Sequence, residues 1–208
     1  MQLLYASTSP YVRKVMVCAY LTDQADEIEK LPSAAHPIHR DERISIHNPL
    51  AKVPTLLTND GHTLFDSRVI CEYLAVRAEN HTLFPAAGYA RWSALQQQAM
   101  ADGLLDAALL ARYEKTARPT EIQWPQWVES CLTKIQACLT TIEALAPQLS
   151  ISEPSIGEVT IGCALGYLDF RFPELTWRMQ HPQATQWFAQ FDELPAMYAT
   201  RPFDATPT

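Results

Sequence analysis

The chain has 208 residues, 48% of them hydrophobic and 19% charged, and a net charge of −7. This is ordinary globular composition, long enough for one or two domains, and it excludes a disordered, collagen-like or coiled-coil protein. The absence of a basic block argues against binding to nucleic acid, because such binding needs Lys and Arg to displace the counterions of phosphates.

Membrane and metal sites are not indicated either. No apolar run is long enough to span a bilayer, and the start lacks the basic stretch of a signal peptide, so we expect a cytoplasmic protein without membrane contact. The five cysteines form no C-x-x-C pair and are interpreted as buried, reduced thiols. The six histidines show no ligand spacing with them, so we expect no metal.

The chain begins with a predicted strand followed by a helix. Gln2–Tyr5 is a short apolar run that predicts the strand. Ser9 and Pro10 predict the start of the helix, because serine favours the N-cap and proline the first helical position. The next two patterns are weaker: residues 26–31 predict a strand, and residues 36–47 a short helix or a loop.

A hairpin and another helix follow. Residues 53–57 are rich in strand-forming side chains, and an Asn-Asp-Gly turn separates them from residues 62–65, so the pair predicts a hairpin. Asp66 and Ser67 then predict the cap of a helix. The order β-α-β-(α)-β-β-α predicts a small mixed sheet with helices packed against it.

After residue 80, helical patterns dominate. The predicted helices cover residues 90–117, 125–146, 159–170, 182–191 and 194–200. Ser155 and Glu158 have the S-x-x-E spacing of a capping box before the third of these, which is apolar on all sides and is therefore expected at the centre of its domain. The sequence thus predicts an α/β domain over residues 1–80, a linker over 81–88 and an all-helical domain over 89–208.

The first candidate for chemistry is the hydroxyl pair at the strand-to-helix junction, Thr8 and Ser9. A hydroxyl at this place can donate a hydrogen bond to a thiolate or an oxyanion, and the N-terminus of a helix favours negative charge. Taken alone, Ser9 is interpreted more simply as a helix cap.

Two further candidates lie in the hairpin region. Pro54 interrupts an apolar run, and a cis Val53–Pro54 bond would turn the Val53 backbone outward to pair with a peptide-like ligand, with Lys52 beside it for a carboxylate. Ser67 offers a hydroxyl and nearby N–H groups for a carboxylate, and Asp66 can face an ammonium group. An edge strand and a plain cap are the alternatives for each pattern alone.

The three sites together favour one ligand. A hydroxyl for a thiolate, a backbone clamp and a pocket for a carboxylate and an ammonium group suit a zwitterionic, thiol-bearing tripeptide. Glutathione has this chemistry.

The chain resembles the glutathione S-transferases along its whole length. The resemblance rests on S-P-Y-V-R-K from Ser9, N-P-L-A-K-V-P-T-L from Asn48, F-D-S from Phe65 and S-I-G-E-V-T-I-G from Ser155, in that order. Bacterial serine-type, YibF-like members are the most similar, and their A-D-G-L-L-D-A pattern is matched by residues 101–107. The resemblance implies a thioredoxin-like N-terminal domain, an all-helical C-terminal domain and a homodimer.

The same resemblance implies roles for individual residues. Ser9 would hydrogen-bond the glutathione sulfur, with Thr8 as the alternative. No cysteine replaces Ser9, which argues against the cysteine-type classes. The residues implied to hold the rest of glutathione are Lys52 at the glycine carboxylate, Val53 and Pro54 at the cysteinyl backbone, and Asp66 and Ser67 at the γ-glutamyl end.

The implied activity is transfer of glutathione to a hydrophobic electrophile. A donor hydroxyl and a helix N-terminus would lower the pKa of the glutathione thiol, and the thiolate would then attack an electrophile held beside it. The residues implied for the electrophile site are Tyr11, Leu105, Leu109, Arg112 and Tyr113.

Two alternatives remain open at this point. Some relatives, such as the stringent starvation proteins that bind RNA polymerase, keep the fold without glutathione chemistry. A glutathione-dependent isomerase or peroxidase is the other alternative, because the same activated thiolate serves all three reactions.

Overall fold

The structure, a computed structural model, describes residues 1–204 and divides them into two compact units. Of the described residues, the first unit contains 1–86 and 195–204, and the second is Ala87–Leu194. Residues 195–204, which the sequence assigned to the helical domain, therefore pack with the first unit. The two units are defined by packing alone. The domain limits predicted from the sequence, at residues 80 and 89, stay a prediction.

A four-stranded mixed sheet forms the centre of the first unit, with the strand order β2-β1-β3-β4. β1 pairs in parallel with β2 and antiparallel with β3, and β3 pairs antiparallel with β4. The strands are β1 Gln2–Tyr5, β2 Glu29–Pro32, β3 Thr55–Leu57 and β4 Thr63–Leu64. The predicted α/β fold and its hairpin are confirmed.

The strand register determines which chain segments meet. Tyr5 lies opposite Pro32 and Leu4 lies opposite Thr55, while Leu56 lies opposite Leu64. β1, β2 and β4 therefore finish at the same end of the sheet, and β3 begins there. We call this the C-terminal end of the sheet.

The helices follow the predicted order, with one additional short helix, Trp177–Gln180, that was not predicted. They are α1 Pro10–Leu21, α2 Glu42–Ser45, α3 Ser67–Arg77, α4 Gly88–Thr116, α5 Pro125–Leu145, α6 Ile156–Arg171, α7 Trp177–Gln180, α8 Pro182–Phe191 and α9 Pro195–Ala199. In the first unit, α1 packs against α3 and α9. Val15, Leu56 and Ile70 are fully buried there, whereas the neighbouring Val69 of α3 is 47% exposed.

The second unit is a bundle in which α4 packs against α5 and α6. Every residue of α6 from Ile156 to Leu168 is buried, which confirms its predicted central place. The predicted capping box at its start is present.

Four of the five cysteines of the chain are buried and Cys138 is partly exposed. Within residues 1–204, none of the helices combines the length and apolarity that crossing a membrane requires.

Candidate active site

Ser9 caps α1 and lies in the loop that leaves β1. Its backbone is extended, and its Oγ accepts a hydrogen bond from the Val12 N–H at 3.3 Å. Pro10 occupies the first helical position, as predicted. A serine hydroxyl can accept and donate at once, so the capping bond leaves the Ser9 O–H able to donate to a ligand. Ser9 and Thr8 are both partly exposed, which makes their hydroxyls accessible.

The loop before β3 carries Lys52 and Val53, and its geometry is set by Asn48. Asn48 is 1% exposed. Its amide nitrogen donates to the Lys52 carbonyl at 3.2 Å and to the Thr55 Oγ1 at 3.0 Å, and its Oδ1 accepts from the Leu50 N–H at 3.0 Å. These bonds tie both ends of the loop to one buried side chain.

Asn48 is therefore a positioning residue for the loop, a role that was not predicted. The signal was present, because Asn48 opens the N-P-L-A-K-V-P-T-L pattern. A buried amide that bonds across a loop recovers in hydrogen bonds what its burial costs in hydration. The Val53–Pro54 peptide bond is cis, as predicted. Val53 is partly exposed, and Lys52 is exposed.

Asp66 and Ser67 form the start of α3. Asp66 is the N-cap, and its Oδ1 accepts from the Arg68 N–H at 3.0 Å. The Phe65–Asp66 peptide bond is also cis. Asp66 is exposed, so its second carboxylate oxygen can meet a cation, whereas the Ser67 side chain is only 2% exposed. The first N–H groups of a helix have no partner within it, so the start of α3 can receive an anion.

The strand register brings these three segments together. Ser9 follows the end of β1, Pro54 directly precedes Thr55 at the start of β3, and Asp66 follows the end of β4. All three therefore lie at the C-terminal end of the sheet, on adjacent strands in the order β1-β3-β4. The hydroxyl, the loop backbone and the helix start form one candidate site along this end.

The loop between β2 and α2 is held by a charged cap. Asp41 caps α2 and forms a 3.0 Å ion pair with Arg43, and it also accepts from the Ala34 N–H at 3.2 Å. The hydrogen bond from the Arg43 side chain is the main reason that the pKa of Asp41 lies at about 2. The Arg40 guanidinium donates to the Pro49 carbonyl at 3.0 Å and so links this loop to the Lys52–Pro54 loop.

The residues implied for the electrophile lie in different units. Tyr11 lies on α1 in the first unit, and the other four lie on α4 in the second. Leu105 is fully buried, whereas Leu109, Arg112 and Tyr113 are partly exposed. The four positions on α4 share one helical face by their spacing. Burial raises the pKa of the Tyr113 phenol, which keeps it protonated.

Tyr5 is not placed like a catalytic phenol. It is the last residue of β1, its side chain is partly buried, and burial raises the pKa of its phenol above the ordinary value of 10.0. The Nζ of Lys30 lies 5.4 Å from the centre of the Tyr5 ring.

Between residues 1 and 204, no cluster of three or more His, Cys, Asp or Glu side chains could hold a metal ion.

Comparisons with known protein families match both units. The model of the glutathione S-transferase N-terminal domain matches residues 8–77, and that of the C-terminal domain matches residues 125–190. The uncharacterized GST-like protein YibF of Escherichia coli K12 is 30% identical over 184 residues, which are 88% of this chain and 89% of YibF.

Solved structures with bound ligand are also similar. A glutathione transferase family member from Pseudomonas fluorescens Pf-5, with bound glutathione, is 40% identical with a TM-score of 0.94, over 98% of this chain and 99% of that chain. A glutathione S-transferase from Methylobacillus flagellatus KT, with glutathione bound, is 33% identical with a TM-score of 0.87, over 97% and 99% of the two chains.

Proposed function

The chain belongs to the glutathione S-transferase family, and on that premise we propose that it is a glutathione transferase that joins the glutathione sulfur to a hydrophobic electrophile. One observation carries the proposal: the Ser9 hydroxyl, the Val53 backbone and the start of α3 lie along one end of the sheet. The glutathione bound in two similar structures supports the choice of ligand.

Glutathione would lie across the ends of β1, β3 and β4. The N–H and C=O of Val53 would pair with its cysteinyl backbone ahead of Pro54, in the manner of an added strand. Lys52 would meet its glycine carboxylate. At the other side, the Ser67 hydroxyl and N–H would receive the γ-glutamyl carboxylate, and Asp66 would face the ammonium group.

The Ser9 hydroxyl would activate the sulfur. A free thiol has a pKa of about 8.5 and is mostly protonated at neutral pH. A hydrogen bond from Ser9, together with the positive end of α1, stabilises the thiolate, so the thiol proton passes to water more readily. The free O–H of the Ser9 cap supports this role, and Thr8 is the alternative donor.

The thiolate then forms the new bond. It attacks the electrophilic carbon, and the electron pair of the broken bond leaves with the departing group or moves onto an adjoining electron-withdrawing group. On α4, Leu109, Arg112 and Tyr113 would contact the electrophile, and the buried Leu105 would support them. The protein contributes position and electrostatics, with no group of its own consumed.

We propose a homodimer in the cytoplasm. Light scattering at micromolar concentration would give about twice the mass of one 23.4 kDa chain. A mass equal to one chain would contradict the dimer and leave the activity to be tested separately.

The experiment that tests the function is titration calorimetry of the wild-type protein with reduced glutathione at pH 7. We expect one saturable site per chain, lost in Lys52→Ala and Ser67→Ala, and turnover of an activated aryl chloride with release of chloride. Absence of binding at millimolar glutathione would contradict the proposal and favour a fold retained for contacts with other proteins. Binding without transfer to any electrophile would instead favour an isomerase or peroxidase.

A further inference from the structure

The described end of the chain packs against the first unit. After Leu194, residues 195–204 belong to that unit, and α9 packs against α1. We call residues 195–204 the C-terminal strap. The packing partner of the strap is thus the helix that Ser9 caps.

Arg13 joins the strap to α1. Its side chain is 5% exposed, and its Nη2 donates to the Met197 carbonyl at 3.1 Å and its Nε to the Thr200 Oγ1 at 3.5 Å. The Thr200 hydroxyl in turn donates to the Ala196 carbonyl at 2.8 Å. A buried guanidinium with donors in a rigid planar arrangement holds such partners in a defined direction, which a lysine does not reproduce.

Arg13 also belongs to the first turn that Ser9 closes. The Arg13 N–H donates to the Ser9 carbonyl at 3.0 Å, and the preceding Val12 N–H donates to the Ser9 Oγ. The strap also lies near the loop that carries Ser9. Ala6 and Ser7 of that loop line one depression together with Ala199 and Thr200 of the strap.

We propose that the C-terminal strap, acting through Arg13, positions the Ser9 hydroxyl that contacts the glutathione sulfur. The inference rests on the proposed function. Arg13 is a positioning residue, since it reaches Ser9 through the backbone of the first turn. The strength of a hydrogen bond falls steeply as its donor turns away from the acceptor, so a loosened turn weakens the stabilisation of the thiolate.

Thr200→Val is the principal test, because valine keeps the shape of the side chain and removes the oxygen that Arg13 contacts. Arg13→Lys is the second variant and keeps the charge. The ultraviolet absorbance of the thiolate, followed against pH with bound glutathione, gives the pKa of the thiol. We expect this pKa to rise by roughly 0.5–1 unit in both variants. We expect kcat below that pKa to fall about 3- to 10-fold, with the KM for glutathione changed less than about twofold.

Two matched controls separate positioning from general stability. Thr140→Val removes a hydroxyl with the same kind of bond, to the Gln136 carbonyl at 3.0 Å, in the second unit. Arg77→Lys changes another arginine of the first unit. Arg77 pairs at 2.6 Å with Glu27, which lies just before the start of β2. Both controls should keep the wild-type pKa of the bound thiol.

The outcomes are distinct. If the wild-type protein forms the thiolate and Thr200→Val titrates like it, the inference is overturned and the proposed function stands, even where the variant is less stable. If the wild-type protein binds glutathione without forming a thiolate, the proposed function fails and the inference with it. If Arg13→Lys does not fold, Thr200→Val alone decides between support and rejection.

Discussion

Ser9 and Ser155 each cap a helix within the described residues, and the two caps are used differently. Ser155 at the start of α6 accepts from the Gly157 N–H at 3.1 Å, and its hydroxyl donates to the Glu158 carboxylate. The same carboxylate accepts from the Ser155 N–H at 3.0 Å, which completes the capping box. Ser9 at the start of α1 makes the capping bond to Val12, and the first turn of α1 contains no acidic side chain.

The third residue of each helix makes the difference. In α6 this residue is Glu158, whose carboxylate accepts a hydrogen bond from the serine hydroxyl. In α1 it is Val12, whose apolar side chain cannot accept a hydrogen bond. A serine cap whose hydroxyl already donates to a carboxylate stabilises its helix and has no donor left for a ligand. An open cap stabilises its helix and leaves a donor for a ligand at the positive end of the helix.

Replacing Ser9 by alanine is expected to have the largest effect. Loss of a hydrogen bond to a charged group costs about 1.5–3 kcal/mol, so kcat/KM should fall roughly 10- to 100-fold. The free energy of unfolding should fall by only about 1 kcal/mol, the usual value of an N-cap. Steady-state kinetics and urea unfolding measure the two effects. Wild-type turnover in Ser9→Ala would remove Ser9 from the mechanism and favour Thr8.

The same substitution at the other cap, Ser155→Ala, should reverse the balance. It removes the bond to Gly157 and leaves the Glu158 carboxylate, which is 8% exposed, with fewer partners. We expect the unfolding free energy to fall by about 1–2 kcal/mol, with unchanged affinity for glutathione. A loss of glutathione affinity in the folded variant would contradict the conclusion that Ser155 only stabilises α6.

The structural role of α6 can be tested further in alkali. Burial of Tyr167 raises the pKa of its phenol to about 12, whereas the phenol of the unfolded chain titrates near its ordinary value of 10.0. Above pH 10 the unfolded state therefore binds fewer protons, and stability falls as the pH rises toward 12.

We expect ionisation of the Tyr167 phenol in the unfolded state to lower the free energy of unfolding by about 1 kcal/mol at pH 11. This loss should be absent in Tyr167→Phe. Urea unfolding of both proteins at pH 8 and pH 11 measures it. The same fall in stability in both proteins would show that other groups dominate the alkaline titration.

The smallest effect is expected for Thr8→Ala. Thr8 precedes the cap and is partly exposed, so neither helix stability nor the sulfur contact should depend on it. We expect kcat/KM to change less than about twofold and the unfolding free energy by less than about 0.5 kcal/mol. A tenfold fall in kcat/KM would transfer the sulfur contact from Ser9 to Thr8.

The local features of this protein were predictable from its sequence. The Ser9 and Asp66 caps, the S-x-x-E box at Ser155 and the bounds Pro182–Phe191 of α8 depend on residues within one or two helical turns. Capping side chains bond to backbone groups two or three residues away, so their spacing alone identifies them. The family motifs were equally local, and they led to the correct fold.

Other features were decided by contacts between residues far apart in the chain. β2 begins at Glu29 rather than Asp26, because a strand of four residues shows too little alternation to define its ends and depends on pairing with β1. The bonds from Arg13 to Met197 and Thr200 of the C-terminal strap, 184 and 187 residues further along the chain, were not visible in the sequence.

The longer helices, the serine and aspartate caps and the three candidate segments for glutathione can be identified from the amino-acid sequence. The position of these segments at one end of the sheet, and the packing of residues 195–204 beside α1, appear only in the folded chain. The difference arises from the range of the interactions. Caps and helical faces arise from neighbours in sequence, whereas strand register and the burial of Asn48 and Arg13 require partners that folding alone brings together.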